Sequence, residues 1–77
     1  MTTADRVKSV VAAVLKVPEQ SLTPQSSPDE IQAWDSMRHL QIILGLEEEF
    51  GVQFAADEID GLQTINALCA WLDEHRG

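Results

Sequence analysis

All three prolines of this 77-residue chain, Pro18, Pro24 and Pro28, lie between positions 18 and 28. A fixed φ and a missing amide N–H keep proline out of helix interiors and out of paired central strands. No apolar period is sustained from residue 17 to residue 34, and four serines and threonines are mixed with the prolines there. An irregular stretch of that length is uncommon in a compact domain, where it is usually a functional loop or a crossover connection. Leu22, Ile31 and Trp34 are its apolar anchors, expected to pin it onto a core. A disordered linker would leave those three side chains in water.

The segments on either side read as helices. Val7, Val10, Val11, Val14 and Leu15 follow i, i+3, i+4, i+7, i+8, the spacing of one helix face. Thr2 or Thr3 can cap that helix, expected over residues 3 to 16. A second helix opens at Asp35, whose carboxylate can accept from free backbone N–H groups, and ends at Phe50 before Gly51. Residues 55 to 62 read as a short third helix with Asp57 and Glu58 in its first turn. Thr64 can cap a fourth, with Ile65, Leu68, Cys69 and Leu72 as its buried stripe and Arg76 and Gly77 at its end. The expected fold is an all-α, four-helix bundle, one domain over residues 1–77. Neither a repeat nor a low-complexity tract is present.

Helix two carries more apolar surface than one core covers. At 100° per residue its apolar side chains sweep about 220°. Ile42, Ile43, Leu46 and Phe50 are assigned to the core, and Arg38, Gln41, Gly45, Glu48 and Glu49 to the opposite face. Met37, Leu40 and Leu44 then form an apolar strip beside Gln41 and Glu48, fit for docking a partner. Burial of that strip under the long loop is the alternative.

Composition removes several functions. Thirteen Asp and Glu against five Lys and Arg give a formal net charge of −8. Phosphate backbones and anionic lipid surfaces both call for a basic face. The expected partner is therefore a basic protein surface, with no nucleic acid or membrane, and the protein a monomer. So short a chain buries only about 60% of its unfolded surface, leaving little room for a substrate-enclosing pocket. That argues against a self-sufficient enzyme. The single cysteine allows no internal disulfide, and with two distant histidines it supplies no zinc site. Residues 10–15 after Arg6 and Lys8 faintly suggest a secretory leader, but Lys16 and the missing small-residue cleavage site favour a helix, hence a cytoplasmic protein. The charge is uneven: residues 1–16 hold Arg6, Lys8 and Lys16 against Asp5, a balance of +2, which leaves −10 for residues 17–77.

Asp35-Ser36-Met37 stands where the long loop enters helix two, and Leu46-Glu47-Glu48-Glu49-Phe50-Gly51 closes that helix. Together with the length, the acidity and the helix order, these motifs resemble the acyl carrier protein family over essentially the whole chain. The resemblance implies that Ser36 is no catalyst. It is the residue to which 4'-phosphopantetheine from coenzyme A is joined by a phosphopantetheinyl transferase. It implies that acyl intermediates of fatty acid or polyketide type are held as thioesters on that arm. A loading ligase or transferase and downstream synthases would be the other partners. Asp35 would cap the helix and present the serine. Docking would fall on Met37, Arg38, Leu40, Gln41, Leu44, Glu47 and Glu48. Met37 replaces the commoner leucine, Arg38, His39 and Gln41 reduce the acidity near Ser36, and Trp34 replaces a small residue. These departures point to a discrete carrier of a specialised pathway. An aminoacyl or peptidyl carrier, and an unmodified helical interaction module, remain as alternatives.

Ser36 and His39 are three apart and could meet on one helix face. A nucleophile also needs an oxyanion hole and a walled site, and neither is evident. His39 is instead read as a surface or partner-contact histidine, His75 as a tail residue, Cys69 as core packing and Trp71 as cover for the core edge.

Overall fold

The computed structural model describes residues 2–75. The proposed ends of the fourth helix, Arg76 and Gly77, lie outside them. Every regular element among the described residues is helical: α1 (Thr3–Leu15), a 3-10 turn (Glu19–Ser21), α2 (Ser36–Phe50), α3 (Ala56–Ile59) and α4 (Ile65–His75).

The helix ends follow from local chemistry. Thr2 accepts from the Asp5 amide while the Asp5 side chain returns to the Thr2 amide, a reciprocal capping box. Helix α1 stops one residue earlier than its apolar spacing suggests. Lys16 there adopts the left-handed conformation (φ 59°) and turns the chain into the proline-bearing loop. Gly51 closes α2 in the same way at φ 67°, where the absence of a Cβ removes the strain. Thr64 accepts from the Ala67 amide at 2.9 Å and caps α4. Helix α3 is shorter than expected. Only four residues are helical, and 60–62 continue as turns through Gly61 N–H to Glu58 O (3.1 Å) and Leu62 N–H to Ile59 O (3.2 Å).

Helix α1 packs against both α2 and α4. Val7, Val11 and Leu15 meet Ile42, Ile43 and Leu46 of α2 and Ile65, Leu68, Trp71 and Leu72 of α4 in one buried cluster. The long loop is part of this core. Leu22 and Trp34 are buried, Ile31 is half-buried, and the loop also completes α4. The first free amides of that helix find carbonyls in the loop, Asn66 N–H to Pro24 O at 2.9 Å and Ile65 N–H to Ser26 O at 3.3 Å.

Four expectations need correction. Gly45 does not sit on an outer face. It marks the close approach of α1, because a Cβ there would lie 2.9 Å from Val10 Cγ1. Phe50 is half-buried rather than core, its ring covered by the Arg6 guanidinium 4.2 Å from the centroid. Arg6 also pairs with Glu49 (3.1 Å) and donates to the Glu49 carbonyl (2.9 Å), fastening the start of α1 to the end of α2. Cys69 is half-buried, beside the core rather than within it. His75 is more than a tail residue, since its ring stacks on Trp71 at 3.8 Å and its Nδ1 bonds the Trp71 carbonyl. Phe54, unassigned by its sequence context, is buried and also stacks on Trp71, with ring centroids 4.1 Å apart.

Candidate functional site

The start of α2 is built from three residues with three different tasks. Trp34 is 1% exposed and anchors the end of the loop. Asp35 is extended (φ −98°, ψ −176°), and its Oδ1 accepts from the Arg38 amide at 2.8 Å while its carbonyl accepts from the His39 amide at 2.8 Å. Ser36, the first helical residue, is exposed. Its hydroxyl therefore stands at the positive end of the helix dipole, beside amides that a helix leaves without internal partners. An added phosphate is tolerated at such a position.

His39 overturns its assignment as a surface or partner-contact histidine. It is 5% exposed and bonded through both ring nitrogens. Nδ1 lies 3.0 Å from Trp34 Nε1, and Nε2 lies 3.0 Å from the Ile59 carbonyl. An indole N–H can only donate, so Nδ1 accepts and the proton of the neutral ring is on Nε2, which donates to Ile59. One imidazole, three residues after Ser36, thus ties the loop, α2 and α3 together. Both nitrogens are committed to these bonds, and a Ser36–His39 catalytic pair is not assembled.

A cleft of about 340 Å³ opens beside the serine. Pro28 and Trp34 of the loop, Asp35, Ser36, His39 and Leu40 around the start of α2, and Ile59, Asp60 and Gln63 from α3 and its following turn border it. Its size is at the low end of small-molecule sites, which run from about 300 to 1,000 Å³.

The apolar strip is exposed as expected. Met37 is 71%, Leu40 52% and Leu44 64% accessible, so the loop does not cover them. The acidic end of α2 is more heterogeneous than its sequence suggests. The Glu47 carboxylate accepts from the Phe54 amide at 2.8 Å, and Glu49 is held by Arg6. Glu48 is exposed and forms no ion pair among the described residues. Cys69 lies away from the cleft. Burial, then the Asp73 carboxylate, push its thiol pKa above the ordinary value against a smaller opposing effect of Lys8. That keeps the thiol protonated and unreactive at neutral pH.

The family profile described as "Phosphopantetheine attachment site" matches residues 5–72. The chain belongs to the acyl carrier protein family. It is 32% identical over 75 residues to the acyl carrier protein of Zymomonas mobilis subsp. mobilis, an alignment covering 96% of this chain and 95% of that protein. The carrier is thus not an enzyme, and its prosthetic group is a covalent 4'-phosphopantetheine. Members of this family work with a phosphopantetheinyl transferase and with synthases. The exposed hydroxyl at the start of α2, with a cleft beside it, fits such a group. Among the described residues, no helix is long and apolar enough to cross a membrane.

Proposed function

We propose that Ser36 is the attachment residue and that the protein carries acyl intermediates as thioesters, delivering them to partner enzymes of a specialised pathway. The observation that carries this reading is the exposed Ser36 hydroxyl on the first residue of α2, presented by an aspartate cap and a buried tryptophan anchor. The attached group supplies a terminal thiol on a long flexible arm. The protein's own part is to fix the root of that arm and to present a recognisable surface around it. Tethering keeps a reactive group at high effective concentration near successive active sites.

Any enzyme acting at Ser36 must approach the first turns of α2. Met37, Leu40 and Leu44 offer it apolar contact, with Arg38, Gln41 and Glu48 as the polar surround. Glu47 belongs to this surface only in part, because its carboxylate also holds Phe54. Arg38 and Gln41 make the surroundings of Ser36 less acidic than the chain as a whole, which supports recognition by dedicated enzymes. The reading includes a monomeric, cytoplasmic protein.

Co-expression with a broad-range phosphopantetheinyl transferase tests the proposal. The intact mass should rise by one phosphopantetheine, and Ser36→Ala should abolish the increase. An unmodified wild-type protein, or an addition that survives Ser36→Ala, refutes it.

A further inference from the structure

From residue 17 to residue 75, Arg38 is the only lysine or arginine. Of the thirteen acidic residues only Asp5 precedes this span, so the other twelve share it with one cation. That cation stands on α2, two residues after Ser36, and the fold gives it a poor place. Asp35 is the N-cap of α2 and Arg38 the third helical residue. The positive end of a helix dipole disfavours a cation in the first turn. No local contact offsets this. The Asp35 carboxylate accepts from the Arg38 backbone amide at 2.8 Å, but the guanidinium has no ion pair or hydrogen bond among the described residues. Arg6 is the contrast, held by Glu49 and laid over the Phe50 ring. A charge that opposes its own helix and finds no partner in the fold marks a functional position rather than a structural one.

Helix geometry shows what Arg38 faces. It lies seven residues before Gly45 and eleven before Glu49, two positions turned toward α1, so it rises from the α1 flank of α2. Ser36 borders the cleft on the other flank, toward α3. Residues two apart on a helix do not face each other, so Arg38 is directed away from a group attached to Ser36. Between the flanks run the exposed Met37, Leu40 and Leu44. Glu48, exposed and without an ion pair among the described residues, lies ten residues beyond Arg38, about 15 Å along the axis. The exposed face of α2 therefore has a cation at the Ser36 end, an anion at the far end and an apolar strip between them. A uniformly basic partner surface, which the net charge alone suggests, would meet Arg38 with like-charge repulsion.

We infer that Arg38 selects the partner enzyme by charge: the surface that docks on α2 presents a carboxylate to Arg38, an apolar socket to Met37, Leu40 and Leu44, and a cation to Glu48. The inference rests on the reading of Ser36 as the attachment residue and deepens it. Opposite charges at the two ends fix the direction in which a partner lies along α2. Enzymes with a basic residue facing Arg38 are turned away.

The test uses a phosphopantetheinyl transferase whose docking face is basic, together with variants in which each docking-face lysine or arginine is changed to glutamate in turn. The substrates are the whole chain as wild type, Arg38→Gln and Arg38→Glu. Exhaustive incubation and intact mass come first. If neither wild type nor Arg38→Glu gains a phosphopantetheine on Ser36, the attachment reading fails and the inference falls with it. With the parent transferase, Arg38→Glu should be modified with a kcat/KM about tenfold above wild type at low salt, a gain that shrinks in about 0.15 M salt. At least one glutamate variant of the transferase should reverse the order and favour wild type by a similar factor. Complete modification with an equal or lower kcat/KM for Arg38→Glu, or a gain that no transferase variant reverses, overturns the charge assignment and leaves the attachment reading standing. Stability separates this role from a structural one. In about 0.15 M salt, Arg38→Gln should unfold at a urea midpoint no lower than wild type. A lower midpoint shows that the guanidinium is compensated inside the fold, and overturns the inference.

Discussion

Replacing His39 with alanine removes an acceptor and a donor at once. The Trp34 indole N–H, on a residue 1% exposed, loses its partner at 3.0 Å, and the Ile59 carbonyl loses one at 3.0 Å. Stranding a buried polar group costs about 1–3 kcal/mol. The indole N–H is expected to incur most of that range. The Ile59 carbonyl belongs to a half-buried residue bordering the cleft, where water can replace the imidazole, so its loss falls at the lower end. The expected total is about 2–4 kcal/mol. Chains of this size have only about 4–12 kcal/mol of stability in all, taking the usual 0.05–0.15 kcal/mol per residue. Urea unfolding followed by tryptophan fluorescence should show a lower midpoint with an unchanged slope. The melting temperature should fall by at least about 8 °C, at about 4–8 °C per kcal/mol for a domain this small. A cycle with Trp34→Phe, which keeps an aromatic ring but removes the donor, isolates the bond. The double variant should be less destabilised than the sum of the singles by about 1 kcal/mol. A loss below about 0.5 kcal/mol for His39→Ala, or strictly additive singles, would refute the tie as described.

Other substitutions probe separate features. Gly51→Ala meets no neighbouring atom, so its expected loss of about 1 kcal/mol measures only the left-handed backbone, and an unchanged urea midpoint contradicts this. Gly45→Ala should destabilise by about 1 kcal/mol because Val10 must yield, despite better helix propensity. Adding Val10→Ala should reduce the cost of the Gly45 change in a double-mutant cycle, and additivity would show that the two helices do not press together there. Glu48→Lys should leave stability within about 0.5 kcal/mol, whereas Glu47→Lys should cost about 1–2 kcal/mol by releasing the Phe54 amide. Only the first is therefore a clean probe of docking, and its effect on partner turnover should shrink with added salt. The raised thiol pKa of Cys69 binds its proton more tightly in the folded state. Stability from this group is intact below the ordinary thiol value and is lost as pH rises through the folded one. Cys69→Ala should flatten that alkaline loss in urea unfolding, and an identical pH dependence in both proteins would exclude the linkage.

Periodicity made α1, α2 and α4 legible because their apolar residues repeat at helical spacing, and the excess arc on α2 correctly marked Met37, Leu40 and Leu44 as exposed. The position of Ser36 was readable for a similar reason, since Asp35 caps by local hydrogen bonding. His39 was misread because its partners are invisible to a helical wheel. One is five residues back in an irregular segment and the other twenty residues ahead. Gly45 was placed outside because an apolar count treats a missing side chain as neutral, whereas its significance is the room it leaves for Val10. Phe54 lies in a stretch too short for any period, and its burial comes from stacking on Trp71. The shortness of α3 reflects turns through Gly61 that no local pattern announces.

The bond from Thr3 Oγ1 to Asp73 Oδ1, at 2.8 Å, joins side chains separated by 70 positions. The described chain therefore starts and finishes at neighbouring points on its surface. A fold arranged in this way can be spliced into a loop of a host protein, or reclosed by a short peptide and reopened elsewhere, without moving its helices. The proline-bearing loop is a poor place for that new opening, because its carbonyls at Pro24 and Ser26 complete the first turn of α4.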